Sequence, residues 1–447
     1  MVPRSVLDSV MESHAGDVRA REVAHSRVLS AYIAAGLFFM LLPGTFLGVW
    51  NLLLVSARQS VDFVAPAWLQ AHGHAQVFGW VGSFILGIGF YSIPLVRAGA
   101  RPSLGAAWAC WAIWITGVGM RWAANVYGWQ WRVLVPASAG LELAAFVIFF
   151  RAVSQHRAPD AGSRRIDLWI RIVMTASIGL ALTLIANAAT AGYVAWQGDS
   201  PALPHGLNQR FLVLVTSGFL APFVWGFSSK WLPVLLGLRP AYGRILLSGV
   251  ALNALGVLLT LMGWGAPATV LLLAASLLVA IGLCIFEPPL QAAKIRGVHA
   301  SFPVFVRLAY AWLIIAAALG VAAAAWDESG GLWGASRHAF TVGFVSVMVF
   351  SIGQRVLPAF AAGGPLWSPR LMFSGLLLLT SGCLLRVSSE IAAYQYGVEW
   401  AWSALPISAV LELVAFTAFA LNLIATFAFA PDFLPAPQSS THGEVPS

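Results

Sequence analysis

Two histidines of this sequence stand in matching frames, and matched imidazoles on separate helices are one means of holding a metal. The segment HGHAQVFGWVGSFILGIGFYSIP starts at His72 and RHAFTVGFVSVMVFSIGQRVLP starts at Arg337. They align without a gap. His74 precedes Gly79 by five residues and Pro94 by twenty; His338 precedes Gly343 by five and Pro358 by twenty. A third segment, RFLVLVTSGFLAPFVWGFSSKWLP, keeps Gly218 and Pro233 in the same frame but has Val213 at the histidine position. Two neutral imidazoles from separate helices are what a hexacoordinate haem b needs, one on each face of the iron. His72 lies about 200° around a helix from His74, so the two cannot both face one iron. One of them is left for a second task, such as copper or a haem edge. The metal and haem positions read here are thus His72, His74 and His338, with a purely hydrogen-bonding role for the set as the alternative.

Other residues bear on the same chemistry. Arg121, Arg210, Arg337 and Arg386 gather at one set of helix ends, where guanidinium groups would pair with haem propionates or reach toward lipid headgroups. Glu142 and Glu412 fall near the middle of apolar spans, where an ionisable side chain normally has a task or a partner, so each is a candidate proton relay or an interhelical hydrogen-bonding group. His205, at another helix end, reads as an ordinary interfacial residue. His14, His25, His156, His299 and His442 fall in tails or loops. No CxxC pair or CxxCH haem-attachment site involves Cys110, Cys284 or Cys383, which read as buried apolar thiols.

The elements that must position these groups are set by composition. Of 447 residues, 59% are hydrophobic and 9% charged, with a mean hydropathy of +0.81, against roughly 25% charged residues in soluble domains. Long apolar stretches recur from end to end without the alternation of barrel strands. The expected spans are 27–56, 72–97, 103–120, 132–152, 167–196, 209–237, 243–264, 267–287, 304–326, 337–361, 371–389 and 401–430. The fold class is therefore an all-α membrane protein of about twelve transmembrane helices in a lipid bilayer. Residues 1–26 show no apolar core with a small-residue cleavage site, so they read as an N-terminal tail rather than a removable signal peptide.

The net charge of +8 is scattered between spans and marks topology, not nucleic-acid binding. All but six of the 25 Lys and Arg residues fall on the side that would hold both termini; the six are Arg58, Arg121, Arg132, Arg210, Arg337 and Arg386. The positive-inside rule then makes both termini cytoplasmic in a bacterial inner membrane. A second matching pair, MRWAANVYGWQWRVLVPASAGLELAAF with Glu142 and LRVSSEIAAYQYGVEWAWSALPISAVLELVAF with Glu412, extends the repeat. The membrane domain 27–430 divides as three pseudo-repeats of four helices, about 27–152, 167–287 and 304–430, followed by a C-terminal tail 431–447.

HGHAQVFGW resembles the HxHEMxxG-type segment of the NnrS family, and RHAFTVGF with the following Arg355 resembles that family's later RHA-type segment. GFLAPFVWGFSSKWLP matches in frame between them. The resemblance implies a twelve-helix haem- and copper-containing membrane protein of the nitric oxide response and of denitrification, distantly similar in layout to subunit I of haem-copper oxidases. It assigns the metal or haem positions to His72, His74 and His338. This chain departs from the pattern at Ser229-Lys230-Trp231, where the family has an HRM-type triplet, and at Ala75-Gln76, where it has Glu after the first histidine pair. Haem b is then better supported than copper, and the electron donor is not specified. Two other functions fit the sequence in outline. A respiratory oxidase or nitric oxide reductase-like subunit would need about three further histidines for its second metal. A haem-free proton-coupled transporter would use Glu142 and Glu412 as coupling carboxylates.

Overall fold

The computed structural model describes residues 4–96, 102–154, 166–362 and 364–429; His156, His442 and the tail 431–447 lie outside the described residues. Among the described residues, twelve long helices make up the fold: α1 Glu22–Arg58, α2 Pro66–Pro94, α3 Leu104–Tyr127, α4 Trp131–Ser154, α5 Leu168–Gln197, α6 His205–Leu236, α7 Gly243–Leu261, α8 Gly265–Gly282, α9 Phe302–Trp326, α10 Gly331–Phe360, α11 Pro369–Gln395 and α12 Glu399–Ala428. Eleven are long and apolar enough to cross a membrane. The twelfth, α3, is equally long but carries Trp108, Trp111, Trp114, Trp122 and Arg121 along its length. The helix of α1 extends back to Arg4, through the expected N-terminal tail.

Several helices outrun the spans expected from hydropathy. α2 starts at Pro66, a residue whose fixed φ suits the first helical turn, so His72 and His74 lie inside the helix. α3 runs on to Tyr127 and stops at Gly128 in the left-handed region, which encloses Arg121. α11 continues to Gln395 and encloses Arg386 and Glu390. Polar side chains at these helix ends read as breaks by hydropathy, yet the helix simply buries them against its neighbours.

The closest packing is between antiparallel neighbours α3–α4, α7–α8 and α11–α12, and the ring closes where α12 packs on α1. In each of these hairpins a glycine of the first helix lies against the second. A Cβ on Gly117 would sit 3.0 Å from the Ser138 carbonyl, on Gly382 3.2 Å from that of Ser408, and on Gly256 3.2 Å from that of Ala268. Each second helix also has a proline followed two residues later by a hydroxyl that donates to the carbonyl three residues back: Ser138 to Val135, Ser408 to Leu405 and Thr269 to Ala266. The innermost helices are α2 and α10, with 72% and 61% of their apolar stretches buried against 33% for α5. Their core is aromatic. Trp80 of α2 meets Phe350 of α10 and Phe416 of α12 edge-on, and Phe350 stacks on Phe419 at 4.1 Å.

Candidate functional site

α2, α6 and α10 all widen into a π-helical turn at the same register. The wide turn covers Ala75–Gly82 after His74, Leu214–Leu220 after Val213, and Ala339–Ser346 after His338. Wide turns displace carbonyls from the regular ladder and often occur at functional sites. A further one in α1, Met40–Phe46, contains Pro43, which has no N–H to donate. There the Met40 carbonyl accepts from Thr45 Oγ1 and Gln76 Nε2, and the Gly44 carbonyl lies 2.9 Å from His72 Nδ1. The His72 ring fits because residue 48 is glycine; a Cβ there would come within 2.7 Å of its Cε1.

His338 is held in the same manner. Its Nδ1 lies 3.0 Å from the Gly334 carbonyl, one turn back, and 2.9 Å from Glu390 Oε2 of α11. Glu390 in turn approaches Arg386 Nε at 3.5 Å. Gly334 makes this approach feasible, since a Cβ at that position would collide with Glu390 Oε1 at 1.9 Å. His72 lies within coulombic reach of both His338 and Arg386. Both rings are tethered through Nδ1, and neither Nε2 has a hydrogen-bonding partner among the described residues. His338 keeps 27% of its side-chain surface open. Tethering one imidazole nitrogen fixes the tautomer and aims the other, which is how a protein prepares a histidine to bind a metal.

His74 is committed elsewhere. Its Nε2 contacts Glu142 Oε1 at 2.7 Å, the other carboxylate oxygen accepts from Asn187 Nδ2 at 3.0 Å, and the ring stacks on Phe78. Both members of the pair are buried, and Arg121 adds a cation within coulombic reach of Glu142. The expected divergence of His72 and His74 around the helix is thus realised as two different sets of partners.

The remaining candidates separate similarly. Arg121 and Arg386 are buried, with Arg121 Nε and Nη1 and Arg386 Nη1 lacking partners among the described residues. Arg337 donates from Nε to the Trp333 carbonyl, whereas Arg210 is exposed and reaches the Leu261 carbonyl at the end of α7. Glu412 is buried with Oε1 unpartnered among the described residues. Glu390 and Asn187 belong to the two clusters but carried no assignment in the sequence. Glu390 was legible in principle as an acid four residues beyond Arg386; Asn187 carried no signal. Among the described residues no group of three or more His, Cys, Asp or Glu side chains is arranged to hold a metal ion.

This fold, with histidines on its second and tenth long helices, defines a class of polytopic helical membrane proteins. The structure is similar to that of a heme-copper terminal oxidase determined as a dimer by cryo-EM, with a TM-score of 0.67 over 92% of this chain and 85% of that chain at 12% sequence identity. At that identity the likeness establishes a shared fold. No family model and no curated protein matches the sequence.

Proposed function

We propose that this chain is an NnrS-like haem-binding protein of the bacterial inner membrane, acting in nitric oxide metabolism or resistance to nitrosative stress. The carrying observation is that His72 and His338, from different helices and within coulombic range of each other, are each tethered through Nδ1 while Nε2 is left without a hydrogen-bonding partner among the described residues. That donor set suits haem b, which His72 and His338 would hold through their unpartnered Nε2 atoms. Arg386, already beside Glu390, keeps a buried Nη1 without a partner among the described residues, and a propionate oxygen would satisfy that donor. When bound, haem supplies a redox-active iron with affinity for diatomic gases. The residues of the chain have distinct tasks around it. Gly44 and Gly334 fix the imidazoles through their carbonyls, Glu390 adds negative charge behind His338, and Arg386 stands to balance the carboxylates.

Glu142, Asn187 and Arg121 are read as the partners that hold His74 in place, so the coupling role expected for Glu142 gives way to a structural one in this proposal. Copper has less support, since His74 is engaged and no three-ligand cluster accompanies it among the described residues. The three helix quartets are read as one unit used three times, on the shared wide turns and the three glycine-seated hairpins. The nitric oxide role rests on the motif resemblance and the haem site together. A reduced-minus-oxidised spectrum of detergent-purified protein tests the haem, and nitric oxide titration of the reduced form tests the ligand. A b-type spectrum shifted by nitric oxide is expected; a colourless protein from haem-replete cells would overturn the reading.

A further inference from the structure

The three helix quartets differ in what fills them. In the first, His74, Arg121 and Glu142 occupy the space beside α2; in the last, His338, Arg386 and Glu412 occupy the corresponding positions on α10, α11 and α12. The hairpin contacts supply the register for the middle quartet. Gly256 corresponds to Gly117 and Gly382, so Thr260 stands where the others have arginine; Thr269 corresponds to Ser138 and Ser408, so Leu273 stands where they have glutamate. With Val213 at the histidine position, this quartet has lost all three ionisable side chains. Val213 and Thr260 are also shorter than the histidine and arginine they stand in for. A cavity of about 120 Å³ opens there among α6, α7, α8, α9 and α10, lined by Val213 and Thr260 themselves.

The lining has a definite chemistry. Thr216, Thr260, Thr269, Ser276 and Ser336 each donate their hydroxyl proton to a backbone carbonyl, so what they present inward is lone pairs. Asn253 donates from Nδ2 to the Ser217 carbonyl and keeps its oxygen. Trp225 forms part of the wall and is itself buried, with its Nε1 lacking a partner among the described residues. Among the described residues no Asp, Glu or His lines the space, and Arg337, near the helix ends, is the one charged residue that does. A charged guest would pay for desolvation with no counter-charge, and a cation would also meet Arg337.

We propose that the middle quartet is a binding chamber for a small neutral polar molecule, of up to about six heavy atoms by comparison with cavities of known capacity, carrying a hydrogen-bond donor for the hydroxyl and amide oxygens of the lining. This site is separate from the His72–His338 pair and stands or falls independently of haem.

The test places single cysteines in the full-length protein, Thr260→Cys and Ser276→Cys, and exposes them to methyl methanethiosulfonate, a neutral reagent of the size the chamber admits. The thiolate attacks the sulfenyl sulfur, methanesulfinate leaves, and the thiol proton passes to water, so modification reads directly as a mass increase. The native Cys110, Cys284 and Cys383 are buried and give the background in the parent protein. Both positions should react roughly tenfold faster with this reagent than with its trimethylammonioethyl analogue, a difference of about 1.4 kcal/mol. Adding Gly320→Leu should slow both to a similar degree, because a Cβ there meets nothing nearer than Ser336 Oγ at 3.5 Å and a longer side chain fills the chamber. Failure of both cysteines to react would overturn the chamber. Equal rates with the cationic reagent would overturn its preference for neutral guests, and equal labelling of the lipid-facing control Leu258→Cys would reduce the result to partitioning into detergent.

Discussion

The His74 and His338 regions begin from the same sequence frame and the same wide helical turn, yet their imidazoles are used in opposite ways. Beside His74 the carboxylate comes from α4, and Glu142 takes Nε2 of that ring. In the other region, the α12 carboxylate Glu412 has an unpartnered oxygen among the described residues, and it is Glu390 of α11 that approaches His338, from the Nδ1 side. Asn125 stands four residues beyond Arg121, as Glu390 stands four beyond Arg386, and it donates to the Ala67 carbonyl at 3.4 Å. Moving the carboxylate from one helix to its neighbour therefore converts a closed buried pair into an imidazole with a free nitrogen. His72, tethered at Nδ1 by Gly44, supplies the second free nitrogen.

The largest expected effect breaks the ligand side of this comparison. His338→Ala should abolish any b-type haem spectrum of the purified protein, with the polypeptide still recovered in the membrane fraction. Next come the carboxylates. Leaving a buried hydrogen-bonding group unsatisfied typically costs about 1–3 kcal/mol, so Glu142→Leu, which strands both His74 Nε2 and Asn187 Nδ2, should lower the thermal unfolding midpoint in detergent. Glu412→Leu should cost under about 1 kcal/mol or stabilise, since an unsatisfied buried oxygen is removed along with the carboxylate. Equal losses for the two would show that the quartets do not differ as described.

A subtler effect concerns Glu390. Its charge beside His338 favours the more positive, oxidised state of a bound iron, so Glu390→Gln should raise the haem midpoint potential by an amount on the order of one tenfold step, or 59 mV for one electron. Gly334→Ala should act in the same direction, because its methyl group displaces Glu390 from the ring. A redox titration of the two variants reads both. The smallest effect is His205→Ala. His205 is exposed and contacts only Gln209 at 3.3 Å among the described hydrogen bonds, so spectrum and stability should stay within about 0.5 kcal/mol of the parent.

The twelve helices were legible because a bilayer demands long apolar stretches, and even α3, tryptophan-rich and interrupted by Arg121, showed in the pattern. The histidine frame was legible too, since it recurs with glycine and proline at fixed offsets. What escaped was the division of labour between His72 and His74. That depends on which atom of each ring meets which carbonyl, and hence on the wide turn at Pro43 that brings the Gly44 carbonyl to α2. Glu390 escaped for a related reason: the expected span ended at residue 389, and hydropathy treats an acid at a helix end as a boundary.

The most direct test of the central claim compares His72→Ala with His74→Ala by reduced-minus-oxidised spectroscopy and haem quantification of purified protein. Loss of the b-type spectrum in His72→Ala, with its retention in His74→Ala, is the predicted result. Retention in His72→Ala with loss in His74→Ala would contradict the assignment of His72 and His338 as the ligand pair.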